Sequence, residues 1–270
     1  MQIAPSQSYL ICCAERTGST LLGNALIGTG IAGRPRSYFN RVAPFNPRIR
    51  QILGNANDDE YLEKVTVAAM TPNRVFGAKV HWQHFLNLIA KVEGTFRTPG
   101  ATVPASAPEC LGEYFPHLRY IWLVRRNAVA RAISHYRVKK TNRWQLDARW
   151  VTDDTGGDGE PDFDFDAITE FVRLGKAEDA RWRQFFQEHG ISPLELYYED
   201  LVRDLEGTVG RVLEFLGIPA ENATISTPNL RQQADDRSRE WEERYTRIWA
   251  EETGPTAGQD ALLGAQPISE

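Results

Sequence analysis

The chain has 270 residues, 41% hydrophobic and 25% charged, a formal charge of −5 and three cysteines. Such a chain has ample core for one large α/β domain or two small ones, and its negative balance argues against general affinity for nucleic acid or membrane surfaces. No apolar run approaches the roughly 20 residues that cross a bilayer. Its N-terminus lacks the basic region and cleavage pattern of a signal peptide, and Cys12, Cys13 and Cys110 show neither disulfide nor zinc spacing. A cytoplasmic protein with Cys12 and Cys13 as small core residues is expected.

Tyr9 to Ala14 is an unbroken apolar and small-residue run, which predicts a strand buried on both faces. A turn with one glycine, Gly18, follows, and Ser19-Thr20 open a helix whose Leu22, Ala25 and Leu26 share one face. Strand, short polar turn and helix start converge free amides and the positive helix end on one spot suited to an anion. Arg16, Thr17, Ser19 and Thr20 add donors there. The segment is not a Walker A loop, because it has no Gly-Lys and Arg16 precedes the glycine. Taken alone, it could equally be a βα turn whose serine caps the helix.

Residues 30 to 60 read as an irregular connection carrying Gly33-Arg34-Pro35-Arg36-Ser37-Tyr38-Phe39-Asn40. A loop in this place can fold over strand ends, where α/β sheets take ligands; the plainer alternative is a solvated basic loop. A short helix over 58–70, a buried strand from Val75 to Val80 ending in Lys79 and His81-Trp82, and a helix over 85–92 follow. Gly94 to Pro108 reads as a loop or insertion.

Leu118 to Val124 is a third apolar strand and runs into Arg125-Arg126-Asn127 and a helix with Val129, Ile133 and Tyr136 on one face. The first design thus repeats, with a basic residue delivered to a helix start. Arg131, Arg137, Lys139, Lys140 and Arg143 make this the most basic helix, either a solvated face or part of a second phosphate site. Residues 152–166 are an acidic, glycine-rich surface loop without calcium-loop spacing. A helix with Ile168, Phe171, Val172, Trp182, Phe185 and Phe186, a strand from Leu194 to Tyr198, and a helix ending at Gly217 come next. The last ordered segment is expected from Leu230 to about Glu251.

Two basic strand-to-helix turns, a Tyr-Glu-Asp-Leu strand end and an arginine-bearing C-terminal loop together resemble the sulfotransferases that use 3′-phosphoadenosine 5′-phosphosulfate (PAPS), and within them the bacterial trehalose 2-sulfotransferase-like family. The clearest stretches are Arg16-Thr-Gly-Ser-Thr-Leu-Leu, Thr29-Gly-x-Ala-Gly, Gly77-Ala-Lys79-Val-x-Trp82, Arg125 through Ser134, and Gln233-Ala-Asp-x-Arg237-Ser-x-Glu-Trp241-x-x-Arg244-Tyr245. The resemblance implies a single P-loop-like α/β sulfotransferase domain over 1–252, with a central parallel sheet flanked by helices on both faces and a disordered tail over 253–270. It implies that Arg16, Thr17, Gly18, Ser19 and Thr20 hold the 5′-phosphosulfate, Arg125 and Ser134 the 3′-phosphate, and that Arg231 closes over the nucleotide. No metal is implied. A small-molecule acceptor is implied, and family members resemble homodimers.

One departure bears on mechanism. In the family the loop usually reads Gly-x-Pro-x-Glu-Tyr/Phe-Phe, and that glutamate is the proposed general base; here Ser37 takes its place. A serine hydroxyl is too weakly basic to deprotonate an alcohol unaided. His81, Glu15 and His84 are alternative bases at the strand ends, while Arg34 and Arg36 turn the rim basic and, with Tyr38, Phe39, Lys79 and Trp82, are expected to meet the acceptor. That rim suits an anionic hydroxyl or amine acceptor other than trehalose, and an amine, a phenol or an already ionised group would need little help from a base. The other readings are a P-loop-type small-molecule kinase and a nucleotide-binding relative without catalysis.

Overall fold

A computed structural model of the chain describes residues 4–40, 58–95, 102–141, 161–219 and 235–253. Arg231, Arg143, the first nine residues of the acidic loop and the tail beyond Thr253 lie outside the described residues.

In chain order the elements are β1 (Gln7–Cys13), α1 (Ser19–Gly28), α2 (Asp58–Ala69), β2 (Val75–Val80), α3 (Trp82–Val92), α4 (Ala107–Tyr114), β3 (Leu118–Val124), α5 (Ala128–Thr141), α6 (Phe165–Glu188), β4 (Leu194–Tyr197), α7 (Tyr198–Arg203), α8 (Leu205–Leu216) and α9 (Asp236–Thr253). The sheet order is β2-β1-β3-β4, and β1 runs parallel to both neighbours, with Ile11 opposite Lys79 and Ile121. This is the expected α/β architecture, a parallel sheet flanked by helices. Three differences from the sequence expectation are local. Helix α3 starts at Trp82, three residues early, because the extended His81 ends the strand and serves as N-cap. Pro108 occupies a first-turn position of α4, where its missing N–H costs nothing, so the presumed loop ends in a helix. Tyr198 leaves β4 and opens α7.

The chain divides into two compact units. The first comprises residues 1–13, 18–123 and 181–228. Side chains alternate across its strands. Tyr9, Ile11, Cys13, Ile121 and Leu123 pack with Leu22, Ala25 and Leu26 of α1 and with Val209, Val212, Leu213 and Leu216 of α8. The opposite face carries Phe76, Tyr120 and Trp122, which meet Phe115, Phe185 and Phe186 at ring-centre distances of 4.7–5.9 Å. Each such buried large side chain contributes roughly 1.5–3 kcal/mol. Both faces are covered, so the strands are continuous apolar runs. Helix α8 stops where Gly217 takes the left-handed conformation, φ 67°.

The second unit comprises residues 14–17, 124–180 and 229–270. Its core joins Val129, Ala132, Ile133 and Tyr136 of α5, Ile168 and Val172 of α6, and Trp241 and Tyr245 of α9. The basic run on α5 is not one solvated face. Arg131 is buried and donates to Asp179 of α6 at 2.6 Å. Arg137 makes a two-pronged pair with Asp235 at 2.7 and 2.9 Å and also donates to Ser238. Two of the cations therefore tie α5 to other segments of the unit.

Candidate active site

The residues singled out from the sequence fall into two groups, one per unit. In the first unit, Gly18 is the N-cap of α1 with φ 82° and ψ 11°. A Cβ there would lie 2.6 Å from Cδ2 of Tyr198, so any side chain at this turn must displace that ring as well as hold a left-handed backbone. Gly18 has no side chain to cap α1, and the first turn of the helix holds no acidic residue. The opening amides of a helix lack intrahelical partners, and Gly18 offers them no side-chain acceptor. Lys79, at the end of β2, donates from Nζ to Thr20 Oγ1 at 3.0 Å and adds a cation beside that helix start.

The loop over 33–40 is built onto the same edge of the sheet. Gly33, at φ 71°, passes so close to β2 that a Cβ would lie 2.8 Å from the Gly77 nitrogen. Arg36 bridges Ala78 in parallel, and its carbonyl accepts from the amides of Lys79 and Tyr38, each at 3.0 Å. Tyr38 donates its hydroxyl to the Arg34 carbonyl at 2.9 Å, Tyr61 donates to the Tyr38 carbonyl, and buried Asn87 donates to the Phe39 carbonyl at 3.1 Å. These bonds fix the backbone on both sides of Ser37, which is half-buried and follows the Arg36 carbonyl bonded to the Lys79 amide. Tyr38 and Phe39 are buried, and burial pushes the Tyr38 phenol up to about 12 although Arg36 and Arg34 pull it down. Tyr38 is therefore a neutral wall of the loop rather than a base. Arg34 is exposed and donates from Nη1 to the Met70 carbonyl.

His81 and His84 stack with ring centres 4.9 Å apart at the start of α3. Trp82 instead turns to Trp182, edge-on at 5.0 Å, and to Phe185. Its ring belongs to an aromatic cluster. Tyr198 and Asn87 were not legible as site residues, since their partners lie 180 and 48 positions away in sequence.

In the second unit, Arg16 has φ 65°, a left-handed conformation uncommon for a residue with a side chain. It is held from three directions: its Nε donates to Ser134 Oγ at 3.0 Å, its carbonyl accepts from Arg125 Nη1 at 3.3 Å, and buried Thr17 donates back to the Ala14 carbonyl at 3.0 Å. The structure thus brings Arg16 into contact with Arg125 and Ser134, residues that the sequence reading had assigned to a second, separate anion site. Asn127 caps α5 by accepting from the Ala130 amide at 2.8 Å. Glu15 meets His135, with 2.5 Å between Oε2 and Nε2. Among the described residues no group of three or more His, Cys, Asp or Glu side chains could hold a metal ion, and no helix is long and apolar enough to cross a membrane.

Residues 8–248 match the family described as Stf0 sulphotransferase. The trehalose 2-sulfotransferase of Mycolicibacterium smegmatis is 28% identical over 262 residues, covering 89% of this chain and 94% of that protein. That of Mycobacterium tuberculosis is 28% identical over 261 residues, covering 88% and 93%. Among solved structures, a sulfotransferase from Alicyclobacillus acidocaldarius shares 14% identity with a TM-score of 0.43, covering 90% of this chain and 91% of that one. The sulfotransferase domain from the curacin biosynthetic pathway shares 15% identity with a TM-score of 0.45, covering 89% and 97%.

Proposed function

The chain belongs to the Stf0 sulphotransferase family and is a sulfotransferase, and from that premise we propose that it moves the sulfuryl group of PAPS to a small anionic acceptor. The observation that carries the reading is the start of α1, with a glycine N-cap and no acidic residue in its first turn, and with Lys79 beside it. In this proposal Arg16, Thr17 and the segment Gly18–Thr20 hold the 5′-phosphosulfate, Arg125 and Ser134 hold the 3′-phosphate, and Arg231 closes over the nucleotide. Residues 1–252 act as one sulfotransferase domain, followed by a tail, in a cytoplasmic protein that works as a homodimer without a metal.

Transfer is in line and loose by analogy with phosphoryl transfer. The acceptor oxygen or nitrogen forms the new bond to sulfur as the bond from sulfur to the bridging phosphate oxygen breaks. Arg16 and the amides at 18–20 take up the charge on the departing phosphate. The acceptor proton needs a base. We assign it to His81, which follows the last residue of β2, two positions after Lys79, in the unit that also holds Ser37, and whose ring stacks on that of His84. Glu15 is engaged by His135 instead. Ser37 leaves space and no negative charge where the family has a carboxylate, and Arg36 and Lys79 border it. An acceptor carrying a carboxylate or phosphate suits that border better than a neutral sugar. The family match does not favour the kinase alternative.

The test is transfer of label from 35S-PAPS to a panel of carboxylated, phosphorylated and neutral alcohols and amines. Anionic acceptors are expected to be labelled, Arg16→Ala to abolish transfer, and His81→Ala to cut it about 100-fold or more. Ser37→Ala should have only a mild effect. A Ser37→Ala variant that binds adenosine 3′,5′-bisphosphate normally but transfers nothing would overturn the assignment of the base.

A further inference from the structure

Two consecutive residues of the loop meet two consecutive residues of α5: Arg16 meets Ser134, and Glu15 meets His135. The first contact fits an anion-binding loop. The second needs a reason, because a carboxylate adjoining Arg16 repels any anion that Arg16 attracts. It is not a loose surface pair, since the His135 and Glu15 side chains are only 17% and 28% exposed. The imidazole is fixed on its other side by Phe171, with ring centres 4.5 Å apart. Arg16 also holds its left-handed conformation only while its surroundings dictate it, and a tether on the residue before it restricts the same backbone.

We infer that His135 is a positioning residue for the sulfuryl donor: it masks the charge of Glu15 and tethers the loop, so that Arg16 is presented to the 5′-phosphosulfate. The inference rests on the reading of residues 16–20 as the cradle of that group. The imidazole nitrogen lies against the Glu15 carboxylate oxygen at 2.5 Å, and a ring at that distance covers the carboxylate on that side. Removal of His135 takes this partner from a carboxylate one residue from Arg16.

Calorimetric titration tests this with two probes, adenosine 3′,5′-bisphosphate and AMP, on the full chain. Wild type should bind the bisphosphate. His135→Gln should bind both probes about tenfold more weakly, since repulsion over several ångströms at a partly screened site amounts to that order. The double variant Glu15→Gln/His135→Gln should recover most of the loss, because the repelling charge is gone as well. A purely structural histidine would show no such rescue. His135→Asn, measured beside it with its melting temperature, guards against a folding defect confined to one substitution. Unchanged affinity in folded His135 variants, or no recovery in the double variant, overturns the inference. So does a loss confined to the bisphosphate, which would mean that His135 touches the 3′-phosphate directly. A wild-type protein that ignores the bisphosphate overturns the donor reading itself.

Discussion

Gly18→Ala isolates the geometry on which the donor cradle depends. The added methyl would meet Tyr198 Cδ2 at 2.6 Å and Cε2 at 3.1 Å, where ordinary carbon contacts begin near 3.4 Å. The ring must therefore move by close to 1 Å, and Leu201 at 3.5 Å from the same point leaves little room. The backbone adds its own penalty, since φ 82° is left-handed and alanine resists it by about 1 kcal/mol. Overpacking of this kind costs about 1–3 kcal/mol. The sum, about 3 kcal/mol, corresponds to a fall in melting temperature of roughly 6–12 °C for a chain of this size. Calorimetric melting should show it, together with weaker binding of adenosine 3′,5′-bisphosphate as the helix start is displaced. Gly210→Ala is the control: nothing lies within 4 Å of its added carbon, it sits inside α8, and it should raise stability by about 0.5–1 kcal/mol. A Gly18→Ala protein that melts and binds like wild type would refute the argument.

Three further outcomes follow from the same structure. Asp179→Ala strands the buried Arg131 guanidinium and should cost about 3–5 kcal/mol in denaturant unfolding, whereas Arg131→Met/Asp179→Leu should recover most of it. The Arg137 hydrogen bonds, helped by Ser238, hold the Asp235 carboxyl well below the usual carboxylate range. A depressed folded pKa stabilises above the unfolded value near 4 and is lost as pH falls below it. The melting-temperature gap between wild type and Asp235→Asn should therefore be full above about pH 5 and shrink toward pH 2. It should stay small, because Asp235 is 51% exposed and solvent screens the pair. Finally, a thiol reagent should modify only Cys110 in the native protein and all three cysteines after unfolding, since Cys12 and Cys13 are buried. Modification of β1 without unfolding would contradict the packing.

What the sequence disclosed was local. The runs Tyr9–Ala14 and Leu118–Val124 read as strands because both faces of the sheet are covered, and Gly217 marked the end of α8 because only glycine takes that turn readily. Arg16, Arg125 and Ser134 were legible because each stands at a strand end or on the helix that follows. Non-local pairing was hidden. Arg131 looked like one more cation of a basic helix, since its partner Asp179 lies 48 residues on. Nothing near Glu15 announced His135, and nothing near Gly18 announced Tyr198. The loop over 33–40 was recognisable by its composition, but its rigidity comes from Asn87 and Tyr61, which carry no local signal.

A crystal structure with adenosine 3′,5′-bisphosphate would be the most direct trial of the donor assignment. The account predicts the 5′-phosphate within hydrogen-bonding distance of Arg16 and the amides of Gly18–Thr20, and the 3′-phosphate against Arg125 and Ser134. Density for the nucleotide away from both places would contradict it.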